Sequence, residues 1–212
     1  EPALADWSEL DHRLEQLGGR TNFAAYEVKL GPAPTPENPA TQSPSLMSVH
    51  TFQADERLAI GSTFKLYVLG ALAEQVRLGR VRWDEPLAIK SIYKSLPSGK
   101  MQDEKEGAEF PLSRYADLMI SISDNTAADH LAHRVGRDNI EAYMATVHGK
   151  PELNRPFLTT RELFALRLST DPTLVNRYTN ASENIRRDML LPDDPFRPTR
   201  PAGPTHNPGE IG

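Results

Sequence analysis

The chain has 212 residues, 38% of them apolar, and a formal net charge of −5. That apolar content suits one globular domain or most of one, and acids and bases mixed along the chain leave no basic stripe for a nucleic acid. The absence of cysteine excludes disulfides, thiolate catalysis and cysteine-ligated zinc.

The first segment places Leu4, Leu10, Leu14 and Leu17 near helical spacing and stops at Gly18-Gly19, which predicts an amphipathic helix. Asn22 to Leu30 and Leu46 to Phe52 read as strands of a hairpin, joined by a Pro-rich surface loop from Gly31 to Ser45. A long apolar helix is expected from Thr63 to Leu78, ending at Gly79, and then a turn around Trp83-Asp84-Glu85-Pro86. Further helices are predicted over Leu112 to Ile122, Thr126 to Val135, Asn139 to Val147, Thr160 to Leu168 and Ser182 to Leu190. From Leu191 to Gly212 prolines recur at 192, 195, 198, 201, 204 and 208, a composition that forms neither a helix nor a central strand. Two strands make no independent sheet, so further strands are expected beyond Gly212. The expected organisation is 1–60 as helix and hairpin of an α/β part, 61–190 as a mainly helical part, and 191–212 as a Pro-rich connection.

No apolar stretch approaches membrane-spanning length, since Phe64 to Ala73 is followed by Glu74, Gln75 and Arg77. Neither nucleic acid nor membrane is expected as a partner. The amino end, Glu1-Pro2-Ala3-Leu4-Ala5-Asp6, carries no initiator methionine, basic segment or apolar signal core and reads as an internal start. The expected location is the cytoplasm, or outside the cell if an export signal precedes this start.

The long helix opens with Ser62-Thr63-Phe64-Lys65. Its apolar residues leave hardly any polar face, so Lys65 is expected to be buried with it. Ser62 could be an N-cap, but a capping box wants an acid or amide three residues on, and the chain supplies a cation. Burial and the helix dipole both lower a lysine pKa at this place. A lysine so lowered, one turn from a hydroxyl, can take its proton and make the serine a nucleophile for acyl transfer. Spacing alone is a weak signal. Ser91-Ile92-Tyr93-Lys94 repeats it in a short segment ending at Pro97, with no apolar helix behind, and reads as an exposed strand or loop. His130 and His133, beside Asp129, imitate a metal face but read as helix-surface residues, for want of a third separated ligand. Asp103 to Glu106 reads as a solvated charge run.

Ser123-Asp124-Asn125 joins two predicted helices where a buried lysine could find a hydrogen-bond partner. Together with Ser62-Thr63-Phe64-Lys65, in this order, it resembles the first two motifs of the class A β-lactamase and penicillin-binding family. The resemblance implies an antiparallel sheet flanked by helices beside an all-helical subdomain, classed as α/β or α+β, with the C-terminal strands lacking here. It implies Ser62 as the acylated nucleophile, Lys65 as general base or relay, and Ser123 as the hydroxyl passing a proton between lysine and leaving group. Asn125 would hold the acyl side chain of a small-molecule β-lactam or ester, and Asp124 would be structural. Ser95 and Ser98 lie where the family's cleft-edge loop runs, and either line the pocket or are ordinary surface serines. No metal or organic cofactor is implied.

Two departures from the family pattern bear on mechanism. No Lys-Thr/Ser-Gly triplet occurs, and where the family often carries Glu-Pro-Glu-Leu-Asn this chain has Lys150-Pro151-Glu152-Leu153-Asn154. Without that glutamate, deacylation is expected to be slow and β-lactamase activity weak. The run from Ser91 to Met101 is similar to β-lactamase-like proteins of clavulanic acid biosynthesis, which implies esterase chemistry and a separate domain ahead of this one. The alternatives are a cell-wall peptidase or transpeptidase, and a module that binds or senses β-lactams without turnover.

Overall fold

The computed structural model describes residues 6–31 and 45–190. Leu4, most of the Pro-rich loop between the first strands and the connection at 191–212 lie outside the described residues. Backbone contacts divide the chain into two units, Glu1–Ile60 and Gly61–Gly212.

In the first unit, α1 spans Trp7–Glu15, and the Asp6 carboxylate caps it by accepting from the Ser8 and Glu9 N–H groups at 3.1 and 3.3 Å. β1 (Phe23–Lys29) pairs antiparallel with β2 (Ser45–Phe52), with a register shift between Ala25 and Tyr26. Trp7 of α1 stacks on His50 at 4.8 Å between ring centres, and His50 bonds Asp11 at 2.7 Å. These contacts tie the helix to one end of the hairpin. Tyr26, Val28 and Leu46, which alternation along the strands places on one face, remain exposed.

The second unit is mainly helical: α2 (Lys65–Arg77), α3 (Leu112–Ser121), α4 (Asn125–Val135), α5 (Arg137–Val147), α6 (Thr160–Arg167), α7 (Leu174–Asn180) and α8 (Glu183–Met189). Two three-residue strands, β3 (Pro86–Ala88) and β4 (Glu109–Pro111), pair antiparallel before α3. The predicted helices are present with ends displaced by up to three residues, α4 and α5 starting one and two residues earlier than expected, whereas α7, β3 and β4 were not foreseen. None of the helices among the described residues is long and apolar enough to cross a membrane.

The core gathers Val68 and Leu72 of α2, Tyr115 and Met119 of α3, Leu131 of α4 and Ile140 of α5. Every residue of α4 from Asn125 to Ala132 is buried. Ala127, Ala128 and Ala132 let neighbouring helices approach, and the polar residues between them must then bond inside the protein. Gly70 serves the same close packing in α2, because a Cβ there would lie 2.2 Å from the ring of Tyr143 in α5. α2 is less enclosed than its composition suggested, with Leu66 53% exposed.

Candidate active site

Ser62 lies in a 3-10 turn, Gly61–Phe64, that runs directly into α2, so Lys65 is the first α-helical residue. The capping position falls on Phe64, with no side-chain cap, so Ser62 is free of that structural duty. Ser62 is exposed, whereas Lys65 retains 1% of its accessible surface.

The buried ammonium of Lys65 donates to the Ser123 carbonyl at 2.6 Å, to Ser123 Oγ at 2.9 Å and to Asn125 Oδ1 at 2.8 Å. Three donors thus meet three neutral oxygens. Burial pushes the amine pKa below its usual value, and the charges of Asp124 and Asp129 oppose that shift only partly. Ser123 Oγ bonds Ser62 Oγ at 2.8 Å. An unbroken path of two hydrogen bonds therefore runs from the exposed Ser62 hydroxyl through Ser123 to the buried amine.

Ser123 reaches this position with φ +58°, the left-handed region that costs a non-glycine residue energy unless its surroundings impose it. Asp124 imposes it. Its N–H bonds the Leu118 carbonyl at 3.1 Å. Its buried carboxylate caps α4 through the Ala127 N–H at 2.8 Å and accepts from the Lys100 and Met101 N–H groups at 2.7 and 2.9 Å. Asn125 N–H donates to the Ser98 carbonyl at 2.8 Å. The strap from Ser95 to Met101 is thereby bonded to the turn that presents Ser123 and Asn125. Gly99 permits the approach, since it adopts φ +127° and a Cβ there would lie 2.3 Å from Asp124 Cγ.

Ser95 is 3% exposed, which rules out the surface-serine reading for it; Ser98 is partly buried. The Ser91–Lys94 repeat is a 3-10 turn, and Lys94 Nζ bonds the Glu104 carbonyl at 2.5 Å. His130 is not a surface residue. It is 1% exposed, its Nε2 accepts from the Lys90 N–H at 2.9 Å, and its Nδ1 therefore carries the proton donated to the Thr126 carbonyl at 2.7 Å. His133 is partly buried and stacks on Tyr93, and burial pushes its pKa down to about 3. Lys150 and Glu152 are exposed at a 3-10 turn, Pro151–Asn154, and Asn154 Nδ2 lies 3.3 Å from His148 Nε2. No cluster of three or more His, Asp or Glu side chains able to hold a metal occurs among the described residues.

Asp129 and Glu162, buried carboxylates at the amino end of α6, were not foreseen. Asp129, one turn beyond Asn125 on α4, accepts from the Thr160 and Arg161 N–H groups at 2.7 and 2.9 Å and so holds the amino end of α6. Glu162 completes a capping box with Thr159 and pairs with Arg137 at 2.6 Å. Burial raises Asp129 to about 6 and Glu162 to about 7. An aspartate or threonine inside a helix resembles any solvent-facing polar residue, and the available signal was that α4 has no continuous polar face.

The profile of the beta-lactamase enzyme family matches residues 46–187. The chain belongs to that family. A β-lactamase from Sphaerobacter thermophilus is 23% identical over 68% of this chain and 49% of its own, with a TM-score of 0.50. A β-lactamase from Chitinophaga pinensis is 21% identical over 66% of this chain and 47% of its own, also at 0.50. PBP-A is 20% identical over 87% of this chain and 70% of its own, at 0.48. The two β-lactamases show a shared fold, and this chain spans about half of their length. No curated protein matches. The β-lactamase-like fold here combines helices with small antiparallel sheets.

Proposed function

We propose that the protein is a serine hydrolase that forms an acyl-enzyme at Ser62 with a β-lactam or a small activated ester. The observation that carries this reading is the path Ser62 Oγ–Ser123 Oγ–Lys65 Nζ, ending on an amine whose pKa is lowered by burial. With Lys65 neutral, Ser62 gives its proton to Ser123 as Ser123 passes its own to the amine. The Ser62 Oγ–C bond forms and the ring C–N bond breaks. The departing nitrogen then takes a proton back along the same path. Asn125, fixed by the Lys65 bond and the strap, is placed to hold the acyl side chain's amide, and Ser95 belongs to the wall behind it. Water finally splits the ester, yielding the opened acid and free Ser62.

The β-lactam class is taken from the family. An ester with a good leaving group asks less of the same residues. A role in clavulanic acid biosynthesis rests on the likeness of Ser91 to Met101, and none of the three proteins named above carries that description. Retention of the adduct without turnover is favoured by one observation: the three groups bonded to Lys65 among the described residues are neutral oxygens, so none of them serves as a base toward water. A peptidase or transpeptidase would show itself as turnover of a D-Ala-D-Ala peptide.

Intact-mass spectrometry after mixing with a penicillin or a chromogenic cephalosporin tests this function. The parent gains the mass of the opened β-lactam, and Ser62→Ala gains nothing. A Ser62→Ala protein that hydrolyses the cephalosporin at the parental rate overturns the proposal.

A further inference from the structure

We propose that Thr126 is a positioning residue, whose hydroxyl locks the strap Ser95–Met101 against the turn that presents Ser123 and Asn125 to Lys65. Thr126 is fully buried, and its Oγ1 both accepts from the Ser95 N–H at 3.0 Å and donates to the Ser95 carbonyl at 3.1 Å. One side chain thus pairs both backbone groups of a residue that is itself buried. β-branching leaves Thr126 two helical rotamers, and the paired bonds to Ser95 select one of them, while His130 Nδ1 holds the Thr126 carbonyl at 2.7 Å.

The rest of the strap depends on this bond. Asp124 holds the far end at Lys100 and Met101, Asn125 N–H holds the middle at Ser98, and Thr126 holds the near end. Residues 124, 125 and 126 therefore grip one segment in succession, immediately after the left-handed Ser123. Removing the Thr126 hydroxyl leaves a buried N–H and a buried carbonyl unpaired, which drives Ser95 toward water and draws Ser98 away from the Asn125 N–H. Asn125 Oδ1 and Ser123 Oγ would then lose their set distances to Lys65. Misplacement of such groups by about 1 Å slows chemistry by about 100-fold.

The kinetic part of this inference rests on the acylation reading; the structural part does not. Thr126→Val removes the hydroxyl at constant shape, and Thr126→Ser restores it. Acylation of Ser62 by a fluorescent penicillin, measured well below the melting temperature, should fall at least about 10-fold in Thr126→Val and return to within about 3-fold in Thr126→Ser. Amide exchange in the unreacted protein should quicken at Ser95 and Asn125 in Thr126→Val and not in Thr126→Ser. A folded Thr126→Val protein with the parental acylation rate, or a Thr126→Ser protein as slow as the valine variant, overturns the proposal. If Thr126→Val does not fold, Thr126→Ala takes its place with the same readings. If the parent itself is never acylated, the proposed function fails while exchange still decides the clamp: faster exchange at both amides upholds it, and unchanged exchange overturns it.

Discussion

Asp124→Ala should be the most destabilising single change near the candidate site. The carboxylate is fully buried and satisfies three backbone donors, Ala127 N–H on one oxygen and the Lys100 and Met101 N–H groups on the other. Alanine leaves all three unpaired, at about 1–3 kcal/mol each. Lys100 is exposed, so water can reach part of the vacated space, and the lower half of that range, about 3–6 kcal/mol in total, is expected. For a unit of this size that lowers the melting temperature by about 10 °C. Asp124→Asn distinguishes the two ends of the carboxylate. Its oxygen can keep both strap bonds while its NH2 faces the Ala127 N–H, so it should lose the helix cap alone, about 1 kcal/mol. Urea denaturation followed by circular dichroism at 222 nm should rank parent, asparagine, alanine in falling order of stability. An alanine variant within about 1 kcal/mol of the parent would refute the idea that this carboxylate holds the turn and the strap together.

Ser123→Gly keeps the left-handed backbone at no steric cost, so it should melt near the parental temperature yet acylate at least about 100-fold more slowly. Because the neutral amine is the base and its pKa is lowered, acylation should rise with pH and level off below 10.5; a rise continuing through 10.5 contradicts the assignment of Lys65. Asp129 and Glu162 titrate at about 6 and 7 in the folded protein against ordinary values of 3.8 and 4.5. The native state therefore holds protons that the unfolded state releases, so their contribution is complete below about 4 and is lost as pH rises through 6 and 7. Melting temperature against pH should show that loss, and Asp129→Asn should flatten it; an unchanged slope in the variant would speak against it. The acyl adduct should persist long enough for manual mixing and mass spectrometry, and an adduct already gone at the first manual time point would contradict the slow hydrolysis expected of this relay.

The helices and the candidate pair Ser62 and Lys65 could be picked out from the sequence because both signals are local. Periodicity marks α3 to α6 and α8 without knowledge of any neighbour, and serine three residues before a lysine in an apolar helix is unusual by itself. α7 was hidden behind Asp171-Pro172-Thr173, and β3 and β4 are too short for alternation to register, with Pro86 and Pro111 at their limits. The supports of the site were out of reach for another reason. Thr126 meets Ser95, and Asp129 meets Thr160, each across 31 residues, and nothing in either residue type announces a buried partner. The repeat at Ser91 and Lys94 shows the same point in reverse, since equal spacing yields a lysine bonded to the Glu104 carbonyl.

The direction of the hydrogen bonds separates the two halves of the proposed cycle. As an ammonium, Lys65 spends its three N–H groups on Ser123 and Asn125, and Ser123 in turn directs its own proton at Ser62. In that state Ser62 has no acceptor along the path and is a poor nucleophile. Loss of one proton from Lys65 reverses both bonds at once, so that Ser62 donates to Ser123 and Ser123 donates to the amine, without any heavy atom moving. Acylation thus needs only the neutral amine that burial already favours. Deacylation differs because its nucleophile is a water, which must reach the ester with a base beside it. The same two-bond path can accept that water's proton only if the water occupies the place that Ser62 Oγ held against Ser123. The acylated Ser62 Oγ, now an ester oxygen, still sits there. One relay therefore serves bond formation better than hydrolysis, and that asymmetry is the structural reason to expect a long-lived acyl-enzyme.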